Sequence, residues 1–258
     1  MSKLLSSVVL CAVLASVSTG CSIYAPMLPI APVLRDKNQA EVAAAVHING
    51  RIQGNIAYSP IRHLLLTTAG SYQERGSTED TTHFYNRQYE VGLGSYWPVA
   101  KSWLFSGQLG YGQAESQRGF KGIRNFLVSD PGYDKYKTHY NKFYGQVAAS
   151  VDIKRVTLGL SYRRTWIDFK SLTYNGEALP FRRMIRDEPM FLLRTGINRQ
   201  TASFLKLQAT LGCSFNSGNG LDNSDDLLNR HRVHIREDML TYSIGLIFHP
   251  HYLPKRTE

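Results

Sequence analysis

From about residue 40 onward the chain alternates apolar and polar residues with a period of two, the period of a β-strand. In 42–48, Val42, Ala44, Val46 and Ile48 share one face. In 155–163, Val156, Leu158, Leu160 and Tyr162 oppose Arg155, Thr157, Ser161 and Arg163. In 204–215, Leu205, Leu207, Ala209, Leu211, Cys213 and Phe215 oppose Lys206, Gln208, Thr210 and Ser214. The same pattern marks 52–58, 89–97, 103–111, 143–153 and 242–248, and a looser form marks 63–73 and 189–198. That predicts ten strands. No stretch has the 3.6-residue period of an amphipathic helix, and no apolar run reaches the 18 residues of a membrane-spanning helix.

Several of these segments run nine to twelve residues, the length a tilted strand needs to cross a bilayer. The connections alternate. Those at 59–62, 98–102, 152–155 and 199–203 are short, and those at 74–86, 115–138, 169–188 and 216–238 are long. Only the first hairpin, at Asn49-Gly50, has a short turn where a long loop would fall. Tight turns at one end and long loops at the other are the habit of an up-and-down transmembrane β-barrel. Aromatic residues gather at segment ends, among them Tyr58, Tyr72, Tyr89, Trp97, Trp103, Tyr111, Tyr140, Tyr162, Trp166, Phe215, Tyr242 and Phe248, where a barrel carries its interfacial girdles. The fold expected is therefore all-β: a transmembrane antiparallel up-and-down barrel of about ten strands spanning 40–249. A soluble lipocalin-like barrel with the apolar faces turned inward has the same alternation. Strand length and loop parity argue against it.

The first 21 residues, MSKLLSSVVLCAVLASVSTGC, hold one early cation, Lys3, then an apolar run ending in small residues. This is the layout of a secretory signal, predicted over 1–20. Cys21 follows directly, the position of the acylated cysteine of a bacterial lipoprotein. Ser18 departs from the aliphatic residue such a signal prefers. Of the three cysteines, Cys11 lies in the signal, and Cys213 shares a face with leucines. The Pro-rich stretch 21–39 reads as an extended tether between a periplasmic lipid anchor and the barrel, and 250–258 as a tail. With the N-terminus in the periplasm, every long loop faces outward.

The segments CSIYAPMLPIAP, NIAYSPIRHLLLTTAGSY (55–72), EVGLGSYW (90–97) and NKFYGQVAASV (141–151) resemble an uncharacterised family of small outer-membrane β-barrel lipoproteins of Bacteroidetes-type bacteria. The resemblance covers most of the mature chain. It implies location and fold, and supplies no active site.

The remaining chemistry is sparse. A ten-strand barrel is narrow and mostly filled by side chains, so Glu90, Gln108, Lys142, Gln146, Arg155, Arg163, Arg194 and Lys206 are expected to form a polar plug, with a narrow anion path as the alternative. The formal charge is +10 over 258 residues, and the excess lies in the long segments, at Arg118, Lys121 and Arg124, at Arg182, Arg183 and Arg186, and at Arg230, Arg232 and Arg236. Guanidinium groups suit phosphate, so outer-leaflet glycolipid is the expected partner of Arg182, Arg183 and Arg186, with an envelope protein as a further partner and nucleic acid excluded by export. The histidines form no metal motif, and Asp222, Asn223, Asp225 and Asp226 lack the order of a Ca²⁺ loop. No cofactor is expected. His139 with Ser150, or His63 with Ser71, are the candidate nucleophile pairs of a lipid-modifying enzyme, but nothing in the sequence selects them. The expectation is a non-enzymatic envelope or surface interaction protein presenting basic loops.

Overall fold

The structure is a computed structural model, and it describes residues 23–76, 82–121, 133–197, 204–217, 235 and 238–252. The strands are β1 (Gln39–His47), β2 (Ile52–Ser59), β3 (Leu64–Arg75), β4 (Thr82–Val99), β5 (Trp103–Lys121), β6 (Tyr133–Ile153), β7 (Val156–Tyr174), a two-residue β8 (Glu177–Ala178), β9 (Arg183–Gly196), β10 (Leu205–Asn216) and β11 (Met239–Phe248). Each long strand pairs antiparallel with its chain neighbours. β1 pairs with β11, and β6 with β7, so ten strands close into a barrel and no edge is left open. The expected fold class is what forms.

Closure carries the stagger of a tilted barrel. One row of partners runs Val46, Ile52, Tyr72, Arg87, Glu115, His139, Ser171. The other way round, Val46 leads through Ile244, Ala209 and Leu193 to Leu158. The two rows meet β7 at opposite ends, so every strand is strongly inclined to the barrel axis.

Alternation sorts the side chains. Val46, Ile56, Val91, Leu93, Leu109, Val147, Leu160, Leu211, Ile244 and Leu246 point outward and exposed, with Trp97 and Trp103 below them and Tyr89, Tyr111, Phe143 and Trp166 above. An apolar band between aromatic rows matches the hydrocarbon layer and its two interfaces. Cys213 is a free thiol on this outer face, as its leucine neighbours implied. Tyr140 is not a girdle residue. It sits on the inward face of β6 and is buried.

The long connections are shorter than the sequence suggested, because β4 to β7 run 18, 19, 21 and 19 residues and continue past the upper aromatic row. β1 and β2 have nine and eight residues. The barrel therefore has a tall wall at β4–β7 and a low rim at the β1–β2 hairpin. The segments holding Arg124, Asp222, Asn223, Asp225, Asp226, Arg230, Arg232 and Arg236 lie outside the described residues.

Candidate functional site

The lumen is occupied by the chain's own N-terminal segment. Residues 24–35 join no ladder, yet Ile23, Tyr24, Ala25, Met27, Leu28, Ile30, Ala31 and Leu34 are all buried. Pro26, Pro29 and Pro32 recur every third residue, the repeat of polyproline II. A chain in that form rises about 3.1 Å per residue, so a dozen residues span a bilayer core of about 30 Å. An extended chain was expected here, but as a tether outside the barrel. It is instead threaded through it, where inward side chains supply partners for its backbone.

Those partners are inward side chains of the barrel. Gln53 holds Leu28 from both sides: the Leu28 N–H donates to its Oε1 (3.0 Å) and its Nε2 donates to the Leu28 carbonyl (3.1 Å). Gln88 donates to the Ala25 carbonyl at 3.0 Å. Gln108 and Gln146 both donate to the Ile30 carbonyl, at 3.3 and 2.6 Å. Arg194 donates to the Ala31 carbonyl at 2.9 Å, and the Val33 N–H donates to Glu41 at 3.0 Å. Met27, Ile30 and Leu34 pack on Ala57, Leu65, Ala69 and Leu104, while Leu28 and Ala31 pack on Ala45, Met190 and Leu192. The alanines leave the room that the threaded chain fills.

Three buried carboxylates anchor the surrounding network. Glu90 meets Lys142 Nζ at 2.6 Å and Arg163 Nη1 at 2.9 Å, and Arg163 also donates to Gln146. Glu41 meets Arg194 at 3.1 Å and His249 at 3.2 Å. Glu188 accepts from the Tyr24 hydroxyl (2.8 Å), Thr165 (3.0 Å) and Ser214 (3.2 Å). The Tyr144 ring lies 4.1 Å from the Arg163 guanidinium carbon, a cation–π contact. It fits because Gly92 and Gly110 face it: a Cβ on Gly110 would stand 2.2 Å from the ring. The inward placing of Glu90, Gln108, Lys142, Gln146, Arg163 and Arg194 was legible from alternation. Arg155 is an exposed turn residue instead.

The segment has a direction. Arg35 sits at the short-turn end, bonded to the Ser102 carbonyl (3.0 Å) and to Asp152 (2.8 Å). Tyr24 sits at the opposite end, with its ring 5.8 Å from Tyr140. Ile23 joins a hydrophobic cluster that includes Tyr136, Tyr140, Phe169, Leu172, Phe181 and Ile235 inside the tall wall. This runs against a periplasmic anchor, since the chain climbs away from the short-turn end towards its N-terminus.

A second feature lies on the outer wall. A groove of about 590 Å³ is lined by Tyr111, Phe143, Trp166 and Ile185, with Asn141, Asp168 and Arg183 among its polar residues. Of the three arginines expected to meet glycolipid together, Arg182 and Arg183 are exposed and Arg186 is not. Arg186 faces the lumen, donates to Ser214 Oγ (3.1 Å) and carbonyl (2.9 Å), and lies over the Tyr24 ring. In a strand, residues three apart point to opposite faces, so 183 and 186 could not share a ligand.

Neither nucleophile pair read from the sequence forms. Ser150 is buried on the lumen face near the short-turn end, whereas His139 points outward on the tall wall. His63 precedes β3, with Nδ1 2.7 Å from the Tyr96 carbonyl, and Ser71 lies eight residues further along the chain. The serine that His139 does reach is Ser171 (Nδ1–Oγ 3.3 Å), and its Nε2 lies 3.3 Å from Glu115. These three are cross-strand neighbours, beside a register shift at His139/Tyr140. Only knowledge of the strand register could have found them.

No protein-family model matches the chain, and no curated protein matches it. Among solved structures, it is similar to the outer membrane protease OmpT from Escherichia coli, with TM-score 0.50 and 11% identity over 83% of this chain and 94% of that one. It is also similar to the translocator domain of the autotransporter NalP from Neisseria meningitidis, with TM-score 0.44 and 8% identity over 81% and 86%. An outer membrane channel from Pseudomonas putida F1 gives TM-score 0.42 and 8% identity over 86% and 100%. At these identities the likeness to OmpT is one of fold. The chain has the fold of the outer-membrane β-barrel proteins.

Proposed function

We propose that this protein is a sealed, non-enzymatic outer-membrane barrel lipoprotein that holds a tall wall and basic loops at the cell surface for an envelope partner. The observation that carries this is the threaded segment. A lumen filled from Arg35 to Tyr24 by protein leaves no path for solute, and it favours the anchoring role over the narrow channel. The apolar outer band supports a membrane barrel over the soluble lipocalin-like one. The signal at 1–20, the acylation of Cys21 and the kinship with Bacteroidetes-type barrel lipoproteins rest on the sequence. The outer groove, apolar at Phe143 and Trp166 and charged at Arg183, suits one acyl chain and an anionic headgroup, which supports an outer-leaflet glycolipid as its lipid neighbour. The test is planar-bilayer recording of the full chain. Silence is expected, and reproducible unitary conductance would reject the sealed barrel.

A second reading has its own observation. Glu115, His139 and Ser171 align as acid, base and hydroxyl above the same groove, at the height of lipid headgroups, and could serve a lipid-ester hydrolase. Incubation with phospholipid and glycolipid, read by mass spectrometry for released fatty acid, decides it. Release that disappears in Ser171→Ala would establish the enzyme.

A further inference from the structure

We propose that the mature N-terminus leaves this barrel at the cell surface, so that the acyl chains on Cys21 insert in the outer leaflet of the outer membrane. The second half of this statement rests on the lipoprotein reading above; the first rests on geometry alone. The threaded segment enters at the short-turn end, where Arg35 is tied to Ser102 and Asp152. It is held at successive levels by Arg194, Gln146, Gln53 and Gln88. It ends with Tyr24 bonded to Glu188, and with Ile23 among Tyr136, Leu172 and Phe181 on strand extensions and a loop beyond the upper aromatic row. A return to the periplasm would need a second passage through a lumen this segment already fills.

The wall is uneven at this level. Arg51, at the tip of the β1–β2 hairpin, is buried in the lumen with its guanidinium 2.9 Å from His47 Nδ1. Only Ser22 separates Ile23 from Cys21, so the two lie at most about 7 Å apart. The low rim at the β1–β2 hairpin is the side of the barrel on which lipid on Cys21 meets the fewest residues above the bilayer. Tyr58, Trp97 and Trp103 mark the other interface, at the end the N-terminus has left behind.

The test is amine labelling of intact cells of a lipoprotein-processing Gram-negative host expressing the full chain with Ser22→Lys, using a membrane-impermeant reagent. Lys170 on the outer wall and Lys37 and Lys154 at the short-turn end, all exposed, are internal standards, and each site is read by peptide mass spectrometry. The residue-22 amine is expected to be labelled as fully as Lys170, while Lys37 and Lys154 gain label only after permeabilisation, and the N-terminal peptide is expected to carry the acyl mass. Residue 22 labelling only with Lys37 and Lys154 would overturn the proposal, whatever the state of Cys21. Surface labelling of a peptide without the acyl mass would uphold the exit and remove both the lipid and the lipoprotein reading. Heat-modifiable migration in SDS confirms that the variant is folded. If the lysine prevents folding, Ser22→Cys with an impermeant maleimide gives the comparison, with Lys170→Cys and Lys154→Cys as the surface and periplasmic standards and each site again read by peptide mass spectrometry.

Discussion

The two halves of the lumen are built from different materials. Around residues 25–33 the inner face is glutamines, carboxylates and cations, with alanines between them. Around Ile23 it is Tyr136, Tyr140, Phe169, Leu172 and Phe181, with Tyr24 at the boundary, its ring on this cluster and its hydroxyl on Glu188. The threaded chain explains the contrast. In the membrane-embedded half its backbone joins no ladder, and side-chain donors reach the Ala25, Leu28, Ile30 and Ala31 carbonyls instead. In the upper half, above the bilayer, the tall wall closes on itself with an ordinary apolar core, as in a water-soluble protein.

The largest test of this contrast is to remove the threaded chain. Deleting residues 23–34 should leave Gln53, Gln88, Gln108 and Gln146 facing an open lumen and give unitary conductance where the full chain gives none. A silent deletion barrel would mean that side chains alone close the pore. Next is Glu90→Gln, which leaves Lys142 and Arg163 buried beside a neutral amide. Breaking a buried ion pair from one side costs about 3–5 kcal/mol, readable as a lower denaturant midpoint for unfolding from lipid vesicles. Leu172→Ala, in the apolar half, should cost about 2–5 kcal/mol by cavity formation while leaving the barrel silent in planar bilayers. Conductance in that variant would show that the upper cluster, and not the polar half, is the seal.

The smallest effect lies below the barrel, in the 3-10 turn Pro250–Tyr252. The His251 imidazole is held below its ordinary range, first by partial burial and then by the neighbouring His249, although its bond to the Ala40 carbonyl (3.0 Å) works the other way. A depressed folded value means that the contribution is present above about pH 6.5, the unfolded value, and is lost as pH falls through the folded one. An NMR titration of His251 should give a midpoint below that of an unstructured histidine. A midpoint above it would place the ring in the charged form at this contact.

Alternation located the ten strands and put Glu90, Lys142 and Arg163 on one face, because strand period and burial are local properties. The same rule separates Arg183 from Arg186 only once the structure shows β9 starting at Arg183, because 169–188 reads as a long connection in the sequence. The upper ends of β4 to β7 were read as loop because Tyr85, His83, Lys135 and Lys137 break the apolar pattern once the strands leave the bilayer and no longer face lipid.

What the sequence by itself determined is the barrel: period two, strand length, loop parity and the prolines at 26, 29 and 32 that keep the N-terminal segment extended. What only the tertiary structure decided is where that segment goes, and which residues far apart in the chain meet. Glu41 with Arg194, or Glu115 with His139 and Ser171, come together through barrel closure and stagger. An extended Pro-rich chain satisfies its backbone equally well in water and against glutamines. Its own residues carry no preference between them, and the lumen's donors and alanines, spread over most of the strands, make the choice.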